Sequence, residues 1–162
     1  MEKFGNLPSQ TRVARKMIEL GLAIGEGGRV MCGEVEVKEV SLGRAAGVDR
    51  RVVRATINSI RSDAKLSKLF AGIRPAGSFL KDVAHELGFG AVELEANAKK
   101  AGIIAAATGL LARRKISIRQ VYAKDPELFE NPTLVIITEK PVPGNLLAAF
   151  SKIPGVKKVS LL

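Results

Sequence analysis

Ala46-Gly47-Val48-Asp49-Arg50-Arg51-Val52-Val53-Arg54 joins two helical patterns across a tight turn. Upstream of it Val40, Leu42 and Ala45 lie on one predicted helix, and Gly47 is a natural stop for that helix. Asp49 stands where an N-cap belongs for a second helix over residues 50–62. Two helices joined so closely must cross tightly. A small residue in the first, Gly43, and a turn glycine four positions on, Gly47, relieve the steric problem. On a wheel at about 100° per residue, Val53, Ile57 and Ile60 share one side of the second helix, while Arg50, Arg54, Asn58 and Arg61 share another with Arg51 at its edge. The first side predicts burial and the second a cationic face. Arginine grips phosphates or pairs bidentately with guanine edges, and asparagine does the same with adenine. Arg50, Arg51, Arg54, Asn58 and Arg61 are therefore candidate DNA-binding residues, the alternative being an amphipathic helix whose charged side is only solvated.

Towards the N-terminus, residues 11–20 place Val13, Ala14, Met17, Ile18 and Leu20 on one helical stripe, with Gly21 as a stop. Gly25-Glu26-Gly27-Gly28 reads as a turn, since it lacks the Gly-Lys-Ser/Thr ending and the preceding buried strand of a phosphate loop. Residues 34–37 alternate as a short extended piece does, and residues 64–69 extend the second helix. Gly72-Ile73-Arg74-Pro75-Ala76-Gly77 breaks the pattern as a domain boundary does. The expected division is a mainly helical, helix-turn-helix-like domain over 1–72, a linker with a short helix over 73–90, and a second domain over 91–162. The short helix spans 79–87, with Leu80, Val83, Ala84 and Leu87 on its stripe and His85 off it, at the surface.

From residue 91 the pattern alternates strand and helix: strand 91–95, helix 102–113, strand 116–122, strand 133–138, helix 143–151, strand 156–161. With right-handed crossovers this βαββαβ order gives a ferredoxin-like sandwich, two helices covering one face of a four-stranded antiparallel sheet. The fold class is α+β. Leu134-Val135-Ile136-Ile137 is apolar on both sides, so its strand is central, and Val135 or Ile137 reaches the helix-free face. A second subunit, the 79–87 helix or the N-terminal domain must cover that face, and a homodimer is expected.

The chain has 162 residues, with 26 Lys and Arg against 16 Asp and Glu, a net charge of +10 that favours polyanionic neighbours. One cysteine, Cys32, and one histidine, His85, exclude an intrachain disulfide and a thiolate-rich zinc site; no metal or cofactor is expected. Residues 1–8 lack the apolar core of a signal peptide, and the mostly apolar stretch 101–112 rises only about 18 Å as a helix against a hydrocarbon core of about 30 Å. A cytoplasmic protein without membrane contact is expected. No nucleophile, metalloprotease or carboxylate-pair motif is present, and Asp125, Glu127 and Glu130, set among prolines, read as a solvated loop, so no enzyme activity is expected.

The second half resembles the ACT domain, through Val92-Glu93-Leu94-Glu95, Asn97-Ala98-Lys99-Lys100-Ala101-Gly102-Ile103-Ile104 and Ile116-Ser117-Ile118. With residues 46–56, Ser117-Ile118-Arg119-Gln120 and Ile153-Pro154-Gly155-Val156-Lys157-Lys158-Val159, most of the chain is similar to archaeal regulators of amino-acid metabolism that carry an ACT domain. The resemblance implies a dimer that binds an amino acid or related small ligand at a subunit interface, at the turn after the first strand. Gly102 keeps that turn's glycine, but Lys99-Lys100-Ala101 replaces its usual acidic residue and proline, with Asn97 as the substitute. Gly102 also opens a helix, so the N–H groups of Gly102, Ile103 and Ile104 form a carboxylate cradle beside Lys99 and Lys100, or else a plain strand-to-helix turn. Asn97, Lys99, Lys100, Ala101, Gly102, Ile103 and Ile104 are the candidate ligand-binding residues. The resemblance points to a DNA-binding regulator responding to an amino acid; the alternative is a regulatory subunit that senses a metabolite and docks on a metabolic enzyme.

Overall fold

The computed structural model describes residues 7–162 and divides into two compact units, the first ending at Gly77 and the second starting at Ser78. The reading of the first residues as no signal peptide falls largely on residues 1–6, outside those described.

The first unit runs α1 (Pro8–Glu19), β1 (Ala23–Ile24), β2 (Val30–Cys32), β3 (Val35–Val37), α2 (Glu39–Ala46), α3 (Arg50–Arg61) and α4 (Ala64–Gly72). Proline at the first turn of α1 costs no hydrogen bond, which lets the helix start three residues before the expected position. Val13, Ala14 and Met17 are buried, and Leu20, expected on the same stripe, is exposed at the helix end. The strands form an antiparallel meander, with Ile24 opposite Val30 and Val30 opposite Val37. Only its third strand was expected.

The α2 stripe differs from the expected one. Leu42, Gly43 and Ala46 are buried, whereas Val40 is 51% exposed and Ala45 is also exposed. The turn explains the shift, because a Cβ on Gly43 would lie 2.9 Å from the Val48 carbonyl oxygen, so Gly43 has to face the crossing. Gly47 has φ 64°, and the Val48 N–H donates to the Gly43 carbonyl at 2.9 Å, closing α2 with a left-handed cap. Asp49 then accepts from the Arg51 N–H at 2.8 Å and starts α3. Val53, Ile57 and Ile60 are buried, joined by Thr56, whose hydroxyl donates to the Val52 carbonyl at 2.7 Å. Residues 64–69 do not extend α3: Asp63 accepts from the Leu66 N–H at 2.9 Å and begins a separate helix, α4.

The second unit contains β4 (Gly90–Ala96), α5 (Ile103–Arg113), β5 (Ile118–Ala123), β6 (Thr133–Thr138), α6 (Leu146–Ser151) and β7 (Val156–Leu161). The antiparallel sheet has the order β5-β6-β4-β7, which is the ferredoxin-like arrangement, so the chain is α+β. β6 is central. Leu134 and Ile136 face the helices with Leu94, Leu111 and Phe150, while Val135 and Ile137 belong to a separate cluster with Ala84 and Ala91.

Residues 78–89 supply the cover for that second cluster, and they are not the expected 79–87 helix. They contain one 3-10 turn, Lys81–Val83, followed by irregular turns to Gly88 at φ 72°. Leu80, Ala84 and Phe89 pack on the sheet, while Val83 and Leu87, expected on the same stripe, are 45% and 51% exposed. The segment keeps turn bonds of its own, such as Leu87 N–H to the Val83 carbonyl at 3.2 Å and Phe89 N–H to the Ala84 carbonyl at 2.9 Å, and side-chain bonds tie it to the sheet. The Gln120 side chain accepts from the Leu80 N–H at 3.1 Å and donates to the Ser78 carbonyl at 2.7 Å; Lys81 meets Glu93 at 2.6 Å. The Phe79 and Tyr122 rings lie 4.8 Å apart, and the Arg119 guanidinium sits 4.7 Å above the Phe89 ring. The expected 73–90 linker is thus split between the units. The open sheet face, which gave the sequence-based ground for a homodimer, is covered by the chain itself.

Candidate functional site

On α3 the residues facing away from the core border an open cleft of about 360 Å³, to which Arg50, Arg54, Asn58 and Arg61 all contribute. The opposite wall comes from the meander and the start of α2, through Gly28, Arg29, Glu36, Lys38 and Glu39. Three arginines and an asparagine, spread over about three turns of one helix, thus converge with Arg29 and Lys38 on one opening. The glycine turn expected to be plain takes part: Gly28 has φ 81°, and a Cβ there would lie 3.1 Å from Arg61 Nη1. The turn therefore lies against the Arg61 side chain, which a methyl group at position 28 would crowd. Arg51 does not reach this cleft; it borders a separate apolar groove with Pro8, Gln10 and Val52.

Two carboxylates temper the charge. Glu36 lies 3.8 Å from Arg29, a loose and exposed pair. Glu39 Oε1 accepts from Arg54 Nε at 2.5 Å, with the Glu39 side chain 17% exposed and that of Arg54 65% exposed. The hydrogen bond to Glu39, and then the attraction of its charge, push the Arg54 pKa up from its ordinary value.

A second cavity, of about 520 Å³, opens between the β4–α5 turn and the β5–β6 connection. Lys100, Ala101, Gly102, Ile103 and Ile104 line it, and Lys124, Asp125 and Thr133 line its other side. Gly102 has φ 90° and precedes α5 without any side-chain cap, leaving the positive end of that helix to the cavity. Thr133 Oγ1 is buried without a hydrogen-bond partner. Asn97 and Lys99 are not among the lining residues. Asn97 Oδ1 accepts from the Lys99 N–H at 3.1 Å and its own N–H donates to the Gly155 carbonyl at 2.9 Å, so Asn97 shapes the turn. Gly155, at φ 100°, allows this closeness, since a Cβ there would meet the Lys100 Cδ at 2.8 Å.

Sequence reasoning missed Arg29, Lys38, Lys124, Asp125 and Thr133 as lining residues. Arg29 precedes a three-residue strand too short to show a period, Lys38 falls between two elements in a position with no motif of its own, and Asp125 carried only the signal of a solvated loop, where its carboxylate does accept from the Glu127 N–H at 2.8 Å. Among the described residues there is no group of three or more His, Cys, Asp or Glu placed to hold a metal ion, and no helix long and apolar enough to cross a membrane.

No family model and no curated protein matches this chain. Among solved structures it is similar to a transcriptional regulatory protein of the AsnC family from Pyrococcus furiosus, at 9% identity and a TM-score of 0.28, over 78% of this chain and 77% of that one. It is also similar to a transcriptional regulator from Neisseria meningitidis in complex with L-Met, at 12% identity and a TM-score of 0.26, over 95% and 86% of the two chains.

Proposed function

We propose that this chain is an amino-acid-responsive, DNA-binding regulator of amino-acid metabolism. The observation that carries the reading is the convergence of Arg50, Arg54, Asn58 and Arg61 with Arg29 and Lys38 on one cleft beside the helix that follows a tight inter-helix turn. Cations along an open cleft fit the sugar-phosphate backbone, while Asn58 and an Arg supply the donors that read base edges. Arg51, outside the cleft, is assigned to a flanking phosphate. The second cavity is the proposed effector site: the α5 N-terminus and Lys100 suit a carboxylate, Asp125 suits an ammonium group, and Thr133 supplies an unused hydroxyl. Asn97 and Lys99 contribute by shaping that turn.

The proposed assembly is a homodimer with half-sites about 34 Å apart or a multiple of it, formed through surfaces other than the covered sheet face, such as the β5 and β7 edges. Effector control requires that the ligand bind two arrangements of the dimer with different affinity.

The test is binding to DNA duplexes by fluorescence anisotropy across a salt series. Wild-type affinity is expected to fall linearly in log–log form, and Arg50→Ala to reduce the slope by about 0.9, one phosphate contact. A flat salt response, with a co-purifying enzyme in its place, overturns the DNA reading in favour of a docking subunit. A thermal-shift screen of the amino acids tests the effector site, and a mass near 17.3 kDa by light scattering overturns the dimer.

A further inference from the structure

Of the two carboxylates at the cationic cleft, Glu39 is the one paired with α3. A carboxylate beside α3 repels phosphates, so Glu39 opposes the binding proposed above on simple charge grounds. Its geometry supplies a reason for its place there. Glu39 is the first residue of α2, where a negative side chain is favoured by the helix end, and it is the less exposed member of the pair. It takes only Nε of Arg54. The two terminal nitrogens of the guanidinium are left as a planar fork on a side chain whose swing is restrained.

We infer that Glu39 is a positioning residue that aims Arg54 end-on at a guanine edge, making Arg54 the specificity-determining side chain of α3. This rests on the DNA-binding reading. A fork held by its Nε matches the paired acceptors O6 and N7 of guanine, and holding it in advance lowers the entropy lost when the contact forms. Arg50 and Arg61, with no such partner among the ion pairs of the described residues, are left to phosphates.

The inference makes a prediction opposite in sign to charge alone. The full-length chain selects its preferred duplex from a randomised library, and affinities for that duplex and a scrambled one are measured at one salt concentration. Glu39→Gln is expected to bind scrambled DNA more tightly, because a negative charge is gone. It nevertheless loses about tenfold in its preference for the selected duplex, the scale of one bidentate base contact, because its amide oxygen still reaches Nε but lacks the charge that holds the guanidinium in place. Arg54→Lys is expected to lose the same preference, because an ammonium group has no fork. The double variant should lose no more than Arg54→Lys alone. An unchanged preference in Glu39→Gln, or losses that add in the double variant, overturns the inference while leaving the DNA-binding reading intact. A wild-type chain that binds no duplex at any salt concentration overturns both. Should Glu39→Gln melt at a much lower temperature, Arg54→Lys at its exposed position decides: retained preference overturns the inference, and lost preference with scrambled affinity kept supports it.

Discussion

Gly43, Gly47 and Asp49 show how much a single side chain, or its lack, fixes here. A methyl group at position 43 would push against the Val48 backbone, which cannot swing aside as a side chain does. Gly43→Ala is therefore expected to destabilise the first unit by about 1–2 kcal/mol in urea unfolding, the clash outweighing the gain in helix propensity. Lys115 presents the reverse case. It is the one non-glycine among the described residues with positive φ, 53°, at the end of α5, so Lys115→Gly should stabilise the second unit by about 1 kcal/mol. Arg54 adds no pH dependence in acid or neutral solution. Its raised pKa favours the folded state at every pH below the ordinary arginine value, and that contribution is lost only in strongly alkaline solution. These glycines and the cap were legible because their reasons lie within a few residues of themselves. The Glu39–Arg54 pair was not, since it joins positions 15 apart that only the folded crossing brings together.

Among elements, the long periodic ones follow from their sequences, and of the shortest only β3 does, through its alternation. β6 came out at its expected bounds because apolar residues on both faces can satisfy only a central strand. β1 and β2 have two and three residues, too few for any alternation to show. Residues 79–87 have a helical stripe yet form only one 3-10 turn and irregular turns closed by their own backbone bonds, while Gln120 holds the Leu80 N–H and the Ser78 carbonyl and Lys81 meets Glu93. Removing those partners should free the strap without unfolding the sheet. Gln120→Ala is expected to raise hydrogen exchange at the Leu80 amide at least tenfold, with β4 and β6 amides unchanged, as sub-global opening requires. Exchange that rises equally in strap and sheet would mean that the strap is part of the sheet's own cooperative unit.

At the scale of the molecule, the strap decides where the second unit begins. A fragment of residues 78–162 is expected to grow no larger than the proposed dimer, whereas one of residues 91–162, which lacks Leu80, Ala84 and Phe89, bares Val135 and Ile137 and should associate into larger species in light scattering. The +10 charge and the βαββαβ order were both legible in the chain; the distribution of that charge around a cleft was not, because its second wall joins the short strands and the start of α2 to α3 only through the fold. The same strap has a mechanical side. Tension entering the second unit through residue 77 meets Gln120's grip on Ser78 and Leu80 first, then the Lys81–Glu93 pair, before any strand of the sheet is loaded. The strap therefore peels one attachment at a time under low force, lengthening the tether between the two units while the sheet behind it stays whole.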